Sequence, residues 1–331
     1  MARRRLSLAA YVDGITAGNR FVLSQAITLV ESYHHSDQDL ANELLLALGS
    51  TSRSSLRIGI TGAPGVGKST FIEAFGIFLN QQGHSIAVLT VDPSSEKSHG
   101  SILGDKTRMP TLSQSPLAYV RPSAAGGALG GVAYKTREII LLCEVAGYDI
   151  IVVETVGVGQ SETEVHQITD FFLLLLLAGA GDELQGIKKG VMELADALLI
   201  TKADGNNQVA AQQAQRACQN ALQLFRPPDS GVPVQVLTTS AQEQRGVATV
   251  WEIIQEYHKQ TFANGYFQQR REAQSLRWMQ RLLQDYLQNR FWHHPSLASL
   301  RPVVEQRVKS GELTAQQGAQ ELIDRYERGK T

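Results

Sequence analysis

Cysteine is nearly absent: only Cys143 and Cys218 occur, far apart and outside any Cys-x-x-Cys pattern. A disulfide framework and a thiolate zinc site are thereby excluded, and a reducing compartment is expected. Long apolar runs are missing too. The most apolar stretch, Phe171 to Ala178, falls far short of the roughly 20 residues that a membrane-spanning helix needs. Arg3, Arg4 and Arg5 begin in the manner of a secretory leader, but Leu6 to Val12 is weakly apolar and is soon broken by Asp13 and Gly14. No membrane association is expected, and the expected location is the cytoplasm. Charge of one sign is also lacking, with 31 Lys+Arg against 32 Asp+Glu. Nothing in that balance asks for a nucleic acid, and the mildly basic C-terminal stretch reads as a solvated helix face. The pairs His34-His35 and His293-His294 have no Cys or spaced carboxylates beside them, so they read as surface or core histidines.

What is present is a phosphate-cradling loop. Gly62 to Ser69 reads GAPGVGKS and fits Gly-x-x-x-x-Gly-Lys-Ser. Its glycines let the backbone turn tightly, so that successive N–H groups converge on one anion. Lys68 is the candidate for the β- and γ-phosphates, and the Ser69 hydroxyl for Mg²⁺. The residues that cradle the phosphates are then Gly62, Ala63, Pro64, Gly65, Val66, Gly67, Lys68, Ser69 and Thr70. Context agrees, with the alternating Leu56, Ile58 and Ile60 before the loop and a helix expected over Ser69 to Gln82 after it.

In chain order, residues 6–48 read as helices and Gly49 to Ser55 as a polar linker. Candidate strands follow at Leu56–Thr61, Ile86–Val91, Ala118–Val120, Ile150–Glu154, Phe171–Ala178, Ala197–Thr201 and Val234–Thr238. Several lack polar alternation, as a parallel sheet covered on both faces requires. The fold class is therefore α/β, doubly wound, with ligands beyond the carboxyl ends of the strands. From about Val247 the chain reads as helical. Leu276, Met279, Leu282, Leu283, Tyr286 and Leu287 form an amphipathic stripe, Pro295 and Pro302 break the helix, and Val303 to Tyr326 closes the chain. This arm can lie back on the domain or pair with a second subunit, and pairing is the preferred reading. The expected organisation is an N-terminal helical extension (1–50), a P-loop domain (51–262) and a C-terminal helical arm (263–331).

Further motifs fall just past strand ends. Asp92 in Val91-Asp92-Pro93-Ser94-Ser95 and Asp105 in Gly-Asp-Lys-Thr-Arg-Met are carboxylates for Mg²⁺ or its waters. Glu154-Thr155-Val156-Gly157 has the acid and glycine that sense a γ-phosphate, the carboxylate through Mg²⁺ and the Gly157 N–H directly. Val158 stands where a water-orienting Gln follows in the best-known switch GTPases, so intrinsic hydrolysis should be slow. Thr201-Lys202-Ala203-Asp204 is similar to the Asn-Lys-x-Asp base reader. The Asp204 carboxylate can accept from both N1–H and N2–H₂ of guanine, a pair that adenine lacks. Thr201 in the Asn place is expected to loosen the tie to the phosphate loop. Ser240, Ala241 and Gln242, after Thr239, match a loop whose backbone contacts guanine. By residue type the stretch Gly179 to Gly190, GAGDELQGIKKG, is a solvated loop; its place at the ligand edge suggests a third switch.

Together and in this order, GAPGVGKST, VDPSS, GSILGDKTRM, VETVGVGQSE, GAGDELQGIKKG and TKAD resemble the methylmalonyl-CoA mutase-associated GTPase chaperones of the MeaB/ArgK/MMAA type. The resemblance implies a P-loop NTPase of the SIMIBI type, a mostly parallel sheet with helices on both faces and with N- and C-terminal helical extensions. It implies a GTP/GDP-binding chaperone that docks on an adenosylcobalamin-dependent methylmalonyl-CoA mutase, gates its cofactor loading and protects it, with no cobalamin site assigned on this chain. It further implies a homodimer through the C-terminal arm, Mg²⁺ around Ser69, Asp92, Asp105 and Glu154, and catalytic roles for Lys68, Asp92, Glu154, Gln185 and Lys188. The alternatives are an ATP-dependent kinase linked to amino-acid transport, a metal-insertion GTPase, and a nucleotide-loaded scaffold with negligible turnover.

Overall fold

Strands that must be apolar on both sides need helices on both sides, and the sequence provides them in alternation. The computed structural model describes residues 5–49, 55–92, 109–124, 131–155, 161–177 and 189–329. Among the described residues, seven strands form one sheet: β1 (Leu56–Gly62), β2 (Ile86–Asp92), β3 (Ala118–Ala124), β4 (Ile150–Thr155), β5 (Phe171–Leu177), β6 (Ala197–Thr201) and β7 (Gln235–Thr238). Their order is β3-β2-β4-β1-β5-β6-β7, and every pairing is parallel. Ile60 of β1 lies opposite Glu154 on one side and Leu173 on the other. The carboxyl ends of the strands therefore share one edge, where ligands of open α/β sheets bind.

Within a strand, successive side chains go to opposite faces. Ile58, Ile60, Val88 and Val152 share a core with Phe71 and Phe75 of α4 (Lys68–Gln81) and Trp251 and Ile254 of α9 (Val247–Ala263). On the other face, Ala87, Leu89, Ile151 and Val153 pack with α5 (Gly131–Val145) and with the N-terminal helices α1 (Leu8–Thr16), α2 (Arg20–Glu31) and α3 (His35–Leu48). The short α6 (Ser161–His166) adds Val165 to that cluster. A third cluster joins Leu174, Leu198 and Val236 to Met192 of α7 (Lys189–Leu194) and to Ala211 and Cys218 of α8 (Gln208–Leu222).

Arginines fasten the N-terminal helices. Arg20 donates to the carbonyls of Ser115 (3.3 Å) and Ala118, and Arg121 of β3 reaches Ser24, Thr28 and the Glu31 carboxylate at 3.1, 3.2 and 2.6 Å. Cys143 lies in the core, where burial pushes its thiol pKa up and leaves it a poor nucleophile. β3 continues through Pro122, past its expected end at Val120. It is an edge strand with one neighbour, so a proline can sit there without costing a ladder bond.

Residues 1–268 and 269–331 form two compact units. The second holds most of α10 (Tyr266–Trp292), together with α11 (Leu300–Lys309) and α12 (Ala315–Arg328). Its small core gathers Leu297, Val304 and Leu322. Pro302 breaks nothing, contrary to the sequence expectation. It is the third residue of α11, in the first turn, where the N–H has no helical acceptor to lose. The closing segment is interrupted instead at Gly311, with φ 78°, and α12 restarts from a capping box of Thr314 and Gln317. Among the described residues no helix is long and apolar enough to cross a membrane.

Candidate nucleotide-binding site

The site is built where β1, β4 and β6 end. β1 runs to Gly62, the chain turns through Ala63 to Gly67, and α4 begins at Lys68. Gly62 has φ 153°, and a Cβ there would come within 2.5 Å of the Leu175 carbonyl, so this glycine permits close contact with β5. Gly65 and Gly67 have φ 77° and 99°, a conformation that side chains resist. Beneath the turn, Val66 is buried and anchors it in the core.

Lys68 is buried except for 8% of its surface, and a buried ammonium requires acceptors. Its Nζ donates to the carbonyls of Gly62 (2.7 Å) and Ala63 (3.2 Å), which lays the side chain back along its own loop. Ser69 Oγ donates to Glu154 Oε1 at 3.1 Å. Glu154 is 3% exposed and reaches Ser69 from the end of β4. Just below, the Thr155 hydroxyl donates to that of Thr61 at 2.8 Å, joining β4 to β1 under the loop. The Ser69 hydroxyl and the Glu154 carboxylate are adjacent hard oxygen donors, the chemistry that suits Mg²⁺. Asp92 ends β2 on the same sheet edge, and only its main chain is described. Asp105, Gly157, Gln185 and Lys188 lie outside the described residues.

The base side opens next to the loop. A pocket of about 120 Å³, far more than a single water requires, is lined by Val66, Gly67, Thr70, Phe71, Thr201, Lys202, Asp204, Thr239, Ala241 and Gln242. Phosphate-loop residues and the Lys202–Asp204 turn thus face one cavity. Lys202 has φ 54°, and its Cε lies 4.0 Å from where a Gly67 Cβ would be, so its stem lies against the phosphate loop. Ser240 stands behind Asp204. It is fully buried, and its hydroxyl donates to Asp204 Oδ2 at 2.7 Å.

Thr201 does not loosen the site, as its type had suggested. Its hydroxyl, at the end of β6 and 3% exposed, donates to the Val66 carbonyl at 2.6 Å and also lies 3.1 Å from the Leu176 carbonyl. A side chain shorter than Asn suffices because Val66 comes within reach of β6. Sequence reading also passed over Arg245, whose guanidinium donates to the Ala203 carbonyl. No motif flags it, because its contacts are largely to main chain.

Known proteins resemble this chain in sequence and in fold. The family described as methylmalonyl-CoA mutase-associated GTPase MeaB matches residues 23–296. A probable GTPase of Mycobacterium tuberculosis is 47% identical over 317 residues, covering 95% of this chain and 94% of its own. The mouse protein named methylmalonic aciduria type A homolog, mitochondrial, is 44% identical over 323 residues, covering 95% of this chain and 78% of its own. A crystal structure titled LAO/AO transport system kinase superposes with a TM-score of 0.74 at 37% identity, over 97% of this chain and 99% of that one. The fold is that of P-loop GTPases, and the chain belongs to the methylmalonyl-CoA mutase-associated GTPase (MeaB) family.

Proposed function

We propose that this chain binds and hydrolyses GTP as a chaperone of an adenosylcobalamin-dependent methylmalonyl-CoA mutase, gating cofactor loading and protecting the mutase. One observation carries the nucleotide reading: Asp204 and the phosphate loop line a single pocket. A carboxylate there accepts from N1–H and N2–H₂ of guanine, with the Lys202 stem over the ring. At the other end, the N–H groups at the start of α4 and the Lys68 ammonium receive the phosphates, Lys68 exchanging carbonyl contacts for phosphate oxygens. Ser69, Asp92, Asp105 and Glu154 would hold Mg²⁺, which supplies charge neutralisation on the β- and γ-phosphates. Gly157 senses the terminal phosphate, while Gln185 and Lys188 serve activated hydrolysis. With Val158 in the place of a water-orienting Gln, turnover is slow until a partner stimulates it.

The mutase reading rests on the family and on the name of the mouse relative. Pairing of two copies through the C-terminal arm is supported by the exposed Leu276, Met279, Leu282, Leu283, Tyr286 and Leu287 of α10. The proposed location is the cytoplasm, in keeping with the scarcity of cysteine. A competition assay tests the nucleotide: GTP should displace a fluorescent analogue at lower concentration than ATP, and tighter ATP binding would favour the kinase reading. Pull-down with GTP and GDP analogues tests the partner, and a cobalamin-dependent mutase should be retained.

A further inference from the structure

Arg245 belongs to none of the motifs above, yet it laces together the two loops on the base side. Its N–H donates to the Ser240 carbonyl and its own carbonyl accepts from the Ser240 N–H, each at 3.0 Å. The same carbonyl accepts from Thr239 Oγ1 at 2.9 Å. Gly246 closes this turn with φ 82°, and a Cβ there would meet the Thr238 carbonyl at 2.5 Å, so the turn has little room to reshape.

The side chain then crosses to the other loop. Its guanidinium donates to the carbonyl of Ala203, the residue immediately before Asp204. Gln208 lies beside it, and with its amide turned so that the oxygen faces the guanidinium it would accept from both terminal nitrogens at 3.1 and 3.2 Å. A planar fork with fixed donor directions can serve two acceptors at once, which a single ammonium does less well. The Glu243 carboxylate lies 3.0 Å away on the outer side, but both partners are half exposed and such a pair contributes little.

We propose that Arg245 is a positioning residue for base selection. It fixes the Ala203 carbonyl from one side while its main chain holds Ser240, which donates to Asp204 from the other. The angle at which the Asp204 carboxylate meets the ring is set between these two tethers. This inference rests on the GTP reading of the same pocket.

The pair GTP and inosine triphosphate reads that angle. Inosine keeps N1–H and lacks the N2 amine, so the preference for GTP measures whether both carboxylate oxygens are in reach. Arg245→Met keeps the stem and removes the fork. Its Kd for GTP should rise roughly tenfold, its Kd for inosine triphosphate should rise less, and the preference should shrink, with Tm lowered by no more than a few degrees. Arg245→Lys should recover part of the preference. Wild-type preference in Arg245→Met, or equal losses for both nucleotides, overturns the proposal. If Arg245→Met does not fold, Arg245→Lys carries the test, and wild-type preference there overturns it. A wild-type chain that favours ATP would instead overturn the GTP reading and this inference with it. A GTP-selective wild type with an indifferent Arg245→Met removes the inference alone.

Discussion

The two ends of the pocket are held by different kinds of bond. At the base end, main chain meets main chain around two side-chain tethers, Arg245 to the Ala203 carbonyl and Ser240 to Asp204: the Ala203 N–H donates to the Thr239 carbonyl at 3.0 Å, and Ser240 and Arg245 exchange main-chain bonds at 3.0 Å. None of these needs to change when a ring enters. At the phosphate end, polar side chains rest on groups that a ligand would replace, Lys68 on the carbonyls of Gly62 and Ala63 and Ser69 on Glu154. On the proposed reading the base end is preorganised, whereas the phosphate end would exchange partners as it binds. Preorganised sites avoid ordering costs on binding and so favour selectivity, while groups that change partners suit a switch.

Breaking the phosphate end should give the largest effect. Lys68→Ala should lose GTP hydrolysis by roughly a hundredfold to a thousandfold or more while keeping its preference for GTP over ATP. Phosphate release and nucleotide competition measure the two separately. A change in base preference would erase the division between the ends. Breaking the base end comes next. Asp204→Asn should weaken GTP binding on the order of a hundredfold and favour xanthosine triphosphate, whose C2 carbonyl wants a donor. Unchanged base preference would remove Asp204 from its role. The smallest effect should come at the junction. Thr201→Val deletes the hydroxyl on Val66 and should weaken GTP binding about tenfold, with a fall in kcat as well because the bond joins the two ends. Thr201→Ser should restore both, and a Thr201→Val variant with wild-type constants would leave the bond without a function.

Much of this was legible in the sequence. Strands β2, β4, β5 and β6 appear as apolar runs because a doubly covered sheet admits little else, and the phosphate loop shows because only glycine tolerates its turns. Residue type was less informative where geometry decides. Pro302 is a helix breaker by type, yet sits harmlessly in a first turn. Thr201 reads as a weakened Asn, yet its hydroxyl finds the Val66 carbonyl. Arg245 was invisible because its partners are mostly carbonyls and amides, which every residue carries.

The N-terminal helices have a practical consequence for handling the protein. Tyr11, Ile15, Leu23, Ile27 and Leu44 share one core with α5 and with the sheet residues Leu89, Ile151 and Val153; the three helices lie against α5, which in turn lies on β2 and β4, and Arg121 holds α2. A chain cut just ahead of Leu56 would keep every nucleotide motif and expose to water the apolar side of α5 that these helices cover. Contiguous apolar surface of this kind promotes self-association. The shortened protein should collect in the insoluble fraction to a greater extent than the full chain; the three helices would thus act as a cover against self-association.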